Sequence, residues 1–145
     1  MSENKTFVII GAGQAGGEVA SELRKQGFAG RVVIVGEESH PPYKRPPLSK
    51  AYFACASTEE SLYVMQKANL DKANIELMSG MTATRIDRIG KHVHLSDGST
   101  LTYDKLALTT GGRARPLTLP GADRANVFGL RSIADVQKIR AACAP

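Results

Sequence analysis

The chain has 145 residues, enough to bury a real core in one ordinary domain, since a chain of this size hides roughly two-thirds of its unfolded surface. It carries 19 Lys and Arg against 14 Asp and Glu, a net charge of +5, but the basic residues are scattered and only four Phe and four Tyr are present, which argues against nucleic-acid binding. No apolar stretch reaches the ~18 residues of a membrane helix.

Thr6–Ile10 is a short apolar run rich in β-formers, followed at once by Gly11-Ala12-Gly13-Gln14-Ala15-Gly16-Gly17. Val19, Ala20 and Leu23 then recur at spacings of three and four, the buried face of a helix that Gly27 ends and Gly30 turns. Residues 31–35 read as a second strand, apolar without alternation, as a strand covered on both faces should be. Strand, helix and strand in this span make a βαβ unit, with a right-handed crossover and parallel strands.

Residues 40–50 carry four of the seven prolines and exclude a long helix. Residues 58–73 read as helical or mixed, and residues 75–78 as another strand of the parallel sheet. From Thr82 the period becomes two, giving strands over 82–89, 92–95 and 101–103, the last pair joined by Ser96-Asp97-Gly98-Ser99. Residues 105–109 return to the parallel sheet, and Ser132 with Asp135 makes a capping box opening a helix over 133–142. The fold class is α/β: a Rossmann-like parallel sheet with an antiparallel β-meander over one face.

Gly11-x-Gly13-x-x-Gly16 stands between predicted strand and predicted helix. Its glycines suit a tight turn, close approach of a pyrophosphate, and packing of helix on strand. Amides at the helix start then face the phosphates. Glu37 follows the second strand, 21 positions past Gly16, where a carboxylate accepts both hydroxyls of an adenosine ribose and repels a 2′-phosphate. The alternative is a glycine turn beside a solvated glutamate.

A helix terminus contributes roughly 0.3–1 kcal/mol per charge, and one charge-assisted hydrogen bond roughly 1.5–3 kcal/mol. Binding near ~1 μM requires about 8 kcal/mol net of ordering costs. Further contacts are therefore needed, and Arg45, Lys50 and Arg131 are the candidates.

Glu37 followed by Pro41-Pro42-Tyr43-Lys44-Arg45-Pro46-Pro47-Leu48-Ser49-Lys50 closely resembles the FAD-dependent NAD(P)H:ferredoxin reductases of bacterial oxygenase and cytochrome P450 systems, of the putidaredoxin and rubredoxin reductase type. Glu60-Ser61-Leu62-Tyr63, Leu95-Ser96-Asp97-Gly98, Tyr103-Asp104-Lys105-Leu106, Thr110-Gly111-Gly112-Arg113 and Leu119-Pro120-Gly121-Ala122 extend the resemblance in register over essentially the whole chain. It implies non-covalent FAD, reduced by NADH or NADPH, that passes electrons singly to an iron–sulfur protein.

Carried onto this chain, the resemblance assigns Gly11, Gly13, Ala15 and Gly16 to the pyrophosphate and Glu37 to the ribose. Arg45 and Arg131 would supply charge along the phosphates and ribityl chain. Lys50 would sit close to the isoalloxazine, where a cation stabilises the electron-rich reduced flavin. Ala83 matches a backbone position at the adenine end, and Thr110 and Gly111 a second close approach of the main chain. The bland readings are a solvated Lys50 and an Arg131 that neutralises Asp135.

His40, His92 and His94 share no ligand spacing with a cysteine or carboxylate cluster, so no metal is expected. Cys55 and Cys143 are unlike a Cys-x-x-Cys redox pair and are expected as reduced packing or surface residues of a cytoplasmic protein. The pattern departs from the family at Thr109-Thr110-Gly111, where Ala-Thr-Gly is usual, and at Met65-Gln66-Lys67. No second Gly-x-Gly-x-x-Gly occurs. Residues 1–120 are therefore expected to be the N-terminal part of an FAD domain, and 121–145 a linker and helix leading to an NAD(P)-binding domain outside this sequence. On this reading the chain alone is inactive. The rival readings are a non-catalytic dinucleotide-binding module, taking NAD or FAD, and an inactive remnant.

Overall fold

A computed structural model describes residues 4–143, so the outermost residues of the expected 1–120 and 121–145 segments lie outside the described residues. Two compact units are formed: one from the residues up to Tyr43 with Tyr63–Gly111, the other from Lys44–Leu62 with the residues from Gly112 onward.

The first unit is built on a four-stranded parallel sheet. Strand β1 is Thr6–Ile10, helix α1 is Gln14–Lys25 and strand β2 is Arg31–Gly36. A short helix α2, Lys67–Lys72, precedes β3, Ile75–Ser79. Strands β4 (Ala83–Asp87), β5 (His92–Leu95) and β6 (Thr100–Thr102) form an antiparallel meander, and β7 (Lys105–Leu108) returns to the parallel sheet. The sheet order is β3-β2-β1-β7, with Ile10 opposite Val35 on one side and Leu108 on the other. The predicted βαβ unit and the meander are present, and the strand expected over 105–109 returns to the parallel sheet as Lys105–Leu108.

Alternation within the parallel strands explains the three layers. Val8, Ile10, Val33 and Val35 face the meander, where they bury Val93, Leu95, Leu101 and Tyr103. Ile9, Val32 and Ile34 face the helices and cover Ala20 and Leu70. Both faces of the central strands are thus dry, and each such side chain contributes roughly 1.5–3 kcal/mol.

The meander's first strand is shorter than the period-two reading, and its last is shifted one residue earlier, to 100–102. The strand expected to run to Ile89 stops at Asp87, because the Asp87 carboxylate accepts the amides of Ile89 and Gly90, both at 3.0 Å. The hairpin turn is held likewise by Asp97, which accepts the Ser99 amide at 2.9 Å. Such side-chain captures of the backbone end a strand locally.

Arg24 closes α1. Its guanidinium donates to the carbonyls of Phe28 (2.6 Å), Gly30 (2.9 Å), Ala73 (2.7 Å) and Asn74 (2.6 Å), tying the α1–β2 turn to the α2–β3 turn.

The second unit holds two single 3₁₀ turns, Pro46–Ser49 and Glu60–Leu62, and helix α3, Ile133–Cys143. Leu48, Tyr52, Leu62, Ile133 and Val136 are buried in it. Arg140 lies 4.7 Å from the Tyr52 ring centroid and donates to the Tyr52 carbonyl. The expected capping box is formed: Ser132 Oγ accepts the Asp135 amide at 3.2 Å and Asp135 Oδ2 accepts the Ser132 amide at 2.8 Å. Among the described residues no helix is long and apolar enough to cross a membrane. Cys55 and Cys143 are free and exposed.

Candidate dinucleotide site

Strand order sets the location. β1 lies between β2, which the chain enters next, and β7, which it enters last, so the strand order reverses at β1 and the crevice at the carboxyl ends of these strands is the topological switch point of the sheet. Three backbone stretches meet there. They are the glycine turn after β1, the residues after β2 and the residues after β7.

The glycine turn is shaped by contacts that leave no room for side chains. Gly11 has φ +114°, and a Cβ on it would overlap the Thr109 carbonyl. A Cβ on Gly16 would overlap the Gly11 carbonyl and lie 3.0 Å from Thr109 Oγ1. Gly13 differs: its backbone is extended, and a Cβ there would meet nothing within 4 Å. Gly13 is also the N-cap of α1 and supplies no side-chain cap, so the amides of Gln14, Ala15 and Gly16 open the helix toward that space.

Glu37 lies directly after β2 and is exposed. Its place beside the turn is fixed through Gly36, where a Cβ would overlap that of Ala12, and through the Gly11 amide, which donates to the Val35 carbonyl at 2.8 Å. On the other flank, Thr109 Oγ1 lies 2.9 Å from the Gly11 carbonyl and 3.1 Å from that of Ile10. Thr110 and Gly111 follow it immediately and are exposed. Ala83 opens β4, two positions after Met81, whose amide donates to the Gly36 carbonyl at 2.8 Å. The first unit therefore brings Gly11, Gly13, Ala15, Gly16, Glu37, Thr110 and Gly111 to one end of the sheet, with Ala83 on the strand beside it.

The second unit brings two further candidates together. Arg45 Nη1 donates to the Arg131 carbonyl at 2.6 Å. Lys50 is exposed at the end of the first 3₁₀ turn, its amide on the Pro47 carbonyl at 3.0 Å. Asp135 Oδ2 accepts the Arg131 backbone amide at 3.0 Å, so the carboxylate holds the main chain of Arg131.

Two side chains that spacing did not single out help to build the first unit's site. The Thr109 hydroxyl links the ends of β1 and β7, and the Tyr43 hydroxyl donates to Glu38 Oε2 at 2.6 Å. Their only signals were a departure from the Ala-Thr-Gly pattern and a tyrosine inside the proline tract. A separate cleft of about 530 Å³, lined by Arg24, Arg31, Lys67, Asp71 and Glu76, flanks edge strand β3 and contains none of the predicted residues. His94 Nε2 lies 2.7 Å from Arg85 Nη2.

Residues 5–145 match the family model described as pyridine nucleotide-disulphide oxidoreductase. The chain is 44% identical over 143 residues to putidaredoxin reductase CamA of Pseudomonas putida, covering 97% of this chain and 34% of that protein. It is 41% identical over 145 residues to the probable ferredoxin reductase CtmF of Castellaniella defragrans, covering 100% and 36%. Among solved structures, the reductase of the covalent putidaredoxin reductase–putidaredoxin complex superposes with a TM-score of 0.90 at 43% identity, over 97% of this chain and 34% of that one. The ferredoxin reductase for the CYP199A2 system from Rhodopseudomonas palustris gives 0.88 at 38%, over 95% and 34%. The chain thus spans about a third of the length of these relatives.

Proposed function

We propose that this chain, which belongs to the pyridine nucleotide-disulphide oxidoreductase family, is the FAD-binding portion of an oxidoreductase that passes electrons from NAD(P)H to a ferredoxin-type iron–sulfur protein. The observation that carries this reading is the contrast within the glycine turn. Gly11 and Gly16 are closed against protein atoms, whereas Gly13 opens onto free space at an uncapped helix start. A diphosphate fits there, because it meets backbone amides and the positive end of the helix without a Cβ in the way.

What FAD supplies when bound is the redox chemistry, acceptance of a hydride and release of single electrons. The residues of this chain bind and orient it. Gly11, Gly13, Ala15 and Gly16 hold the pyrophosphate, Glu37 accepts the ribose hydroxyls, and the backbone at Ala83 meets the adenine end. Thr110 and Gly111 give a second close approach of the main chain. Arg45 and Arg131 supply positive charge to the phosphates and ribityl chain, and Lys50 places its cation at the isoalloxazine. Residues 1–120 belong to the FAD domain, and 121–145 lead to an NAD(P)-binding domain. The partner reading rests on the relatives, one of which is solved joined to putidaredoxin. A cytoplasmic location suits such a partner.

Titration with FAD and, separately, with NAD tests the assignment. FAD at a hundredfold excess over its Kd should stabilise the chain by about 2.7 kcal/mol, raise Tm by several degrees and quench flavin fluorescence. A shift with NAD alone would make the chain a non-catalytic nucleotide module, and no shift with either would make it an inactive remnant.

A further inference from the structure

Two consecutive glutamates follow β2, and the second of them is anchored in the fold by a tyrosine. Glu38 is pinned twice: its carbonyl accepts the Gly80 amide at 3.2 Å, and its Oε2 accepts the Tyr43 hydroxyl at 2.6 Å. On the other side of Glu37, the Gly36 carbonyl accepts the Met81 amide at 2.8 Å. Glu37 is thus bracketed by two fixed neighbours while its own side chain is exposed.

Tyr43 is suited to act as the anchor. It is 2% exposed, so its hydroxyl must find a partner, and a phenol donating to a carboxylate makes a short bond roughly twice as strong as a neutral one. Its backbone forms isolated bridges with Gly13 and with Tyr63. The Val64 amide on the Pro42 carbonyl, 2.8 Å, adds a further tie on the same side. One residue therefore touches both the open position of the glycine turn, through its main chain, and the turn that carries Glu37, through its hydroxyl.

We propose that Tyr43 is a positioning residue for the nucleotide site. By holding Glu38 it fixes the turn after β2 so that Glu37, and not its neighbour, is presented to the ribose at a set distance from the phosphate turn. This rests on the assignment of Glu37 to the ribose made above. The role proposed for Tyr43 requires no contact of its own with the nucleotide.

A double-mutant cycle on the full chain tests it, with FAD as the probe and Kd read from flavin fluorescence. Tyr43→Phe should weaken FAD about five- to tenfold, within the range a charged hydrogen bond supplies. Glu37→Ala should weaken it about tenfold or more. In the Glu37→Ala background, Tyr43→Phe should add less than about twofold, because the carboxylate it positions is gone. Glu38→Ala removes the same bond from the carboxylate side and should reproduce the Tyr43→Phe penalty should that variant fold poorly. An equal Tyr43→Phe penalty with and without Glu37, or no penalty at all, overturns the proposal and leaves the ribose assignment standing. Failure of the unaltered chain to bind FAD overturns both.

Discussion

The Arg45 guanidinium donates to the carbonyl oxygen of Arg131, 86 positions along the chain, at 2.6 Å. Both residues are candidates for flavin contact, and the bond makes the placement of one depend on the other. Arg45 is also the N-cap of the 3₁₀ turn that ends at Lys50, so a change there moves three candidate cations together.

Arg45→Ala should therefore lower both stability and FAD affinity. The bond is exposed, which puts its contribution at the low end, about 1 kcal/mol or roughly 2–4 °C in Tm. Arg45→Lys should recover part of the affinity through its charge and little of the stability, since an ammonium lacks the planar fork. Thermal melts and FAD titrations of the two variants decide this.

The glycine turn separates folding from binding. Gly16→Ala drives a Cβ into the Gly11 carbonyl, where overpacking costs about 1–3 kcal/mol. Gly13→Ala meets no protein atom, and its extended backbone suits any residue, so Tm should fall by no more than the loss of a weak cap, about 1 kcal/mol. FAD affinity should nevertheless collapse in Gly13→Ala, because the methyl group fills the space assigned to the diphosphate. Calorimetry and flavin titration on the same two samples distinguish the effects.

Arg24→Lys is expected to be the most damaging charge-conserving change away from the site. Four carbonyls from two turns converge on one guanidinium, and an ammonium cannot reach them all. A loss of about 2 kcal/mol in urea unfolding, with FAD affinity per folded molecule unchanged, is the predicted outcome.

Acid should loosen α3. Burial raises the Asp135 carboxyl, but hydrogen bonds from the Ser132 hydroxyl and from the amides of Ser132 and Arg131, with Lys138 nearby, outweigh it and hold the group below its ordinary value of 3.8. A carboxylate lowered on folding contributes stability that is fully present above its unfolded pKa and lost as pH falls through the folded one. Stability should thus decline below about pH 4. Ser132→Ala removes the cap and raises that pKa toward its unfolded value, so the acid-dependent part should shrink while stability at neutral pH falls by about 0.5–2 kcal/mol. Urea midpoints at about pH 6 and pH 3 measure both changes.

The parallel strands were legible because their residues are apolar on both faces, and the meander because its period is two with Asp97-Gly98 at the turn. The capping box at Ser132 and Asp135 was legible because both bonds are local. Gly11, Gly16 and Glu37 could be placed since strand, turn and helix fix their spacing. Tyr43 on Glu38 and Thr109 on Gly11 were not legible, because the first depends on how a proline-rich loop doubles back and the second joins residues 98 positions apart. Arg24 looked like any surface cation at a helix end, since carbonyl acceptors carry no residue signature. The end of β4 at Asp87 was missed because one carboxylate captured two amides that the alternation assigned to a strand.

Mapping backbone amide shifts of the isotopically labelled chain during titration with FAD tests the central claim most directly. The largest changes should fall on the amides from Gly11 to Gly16, on Glu37 and on Thr110 and Gly111, with the cleft beside β3 at Arg31 and Glu76 unmoved. Changes concentrated in that cleft, with the start of α1 silent, would contradict the account.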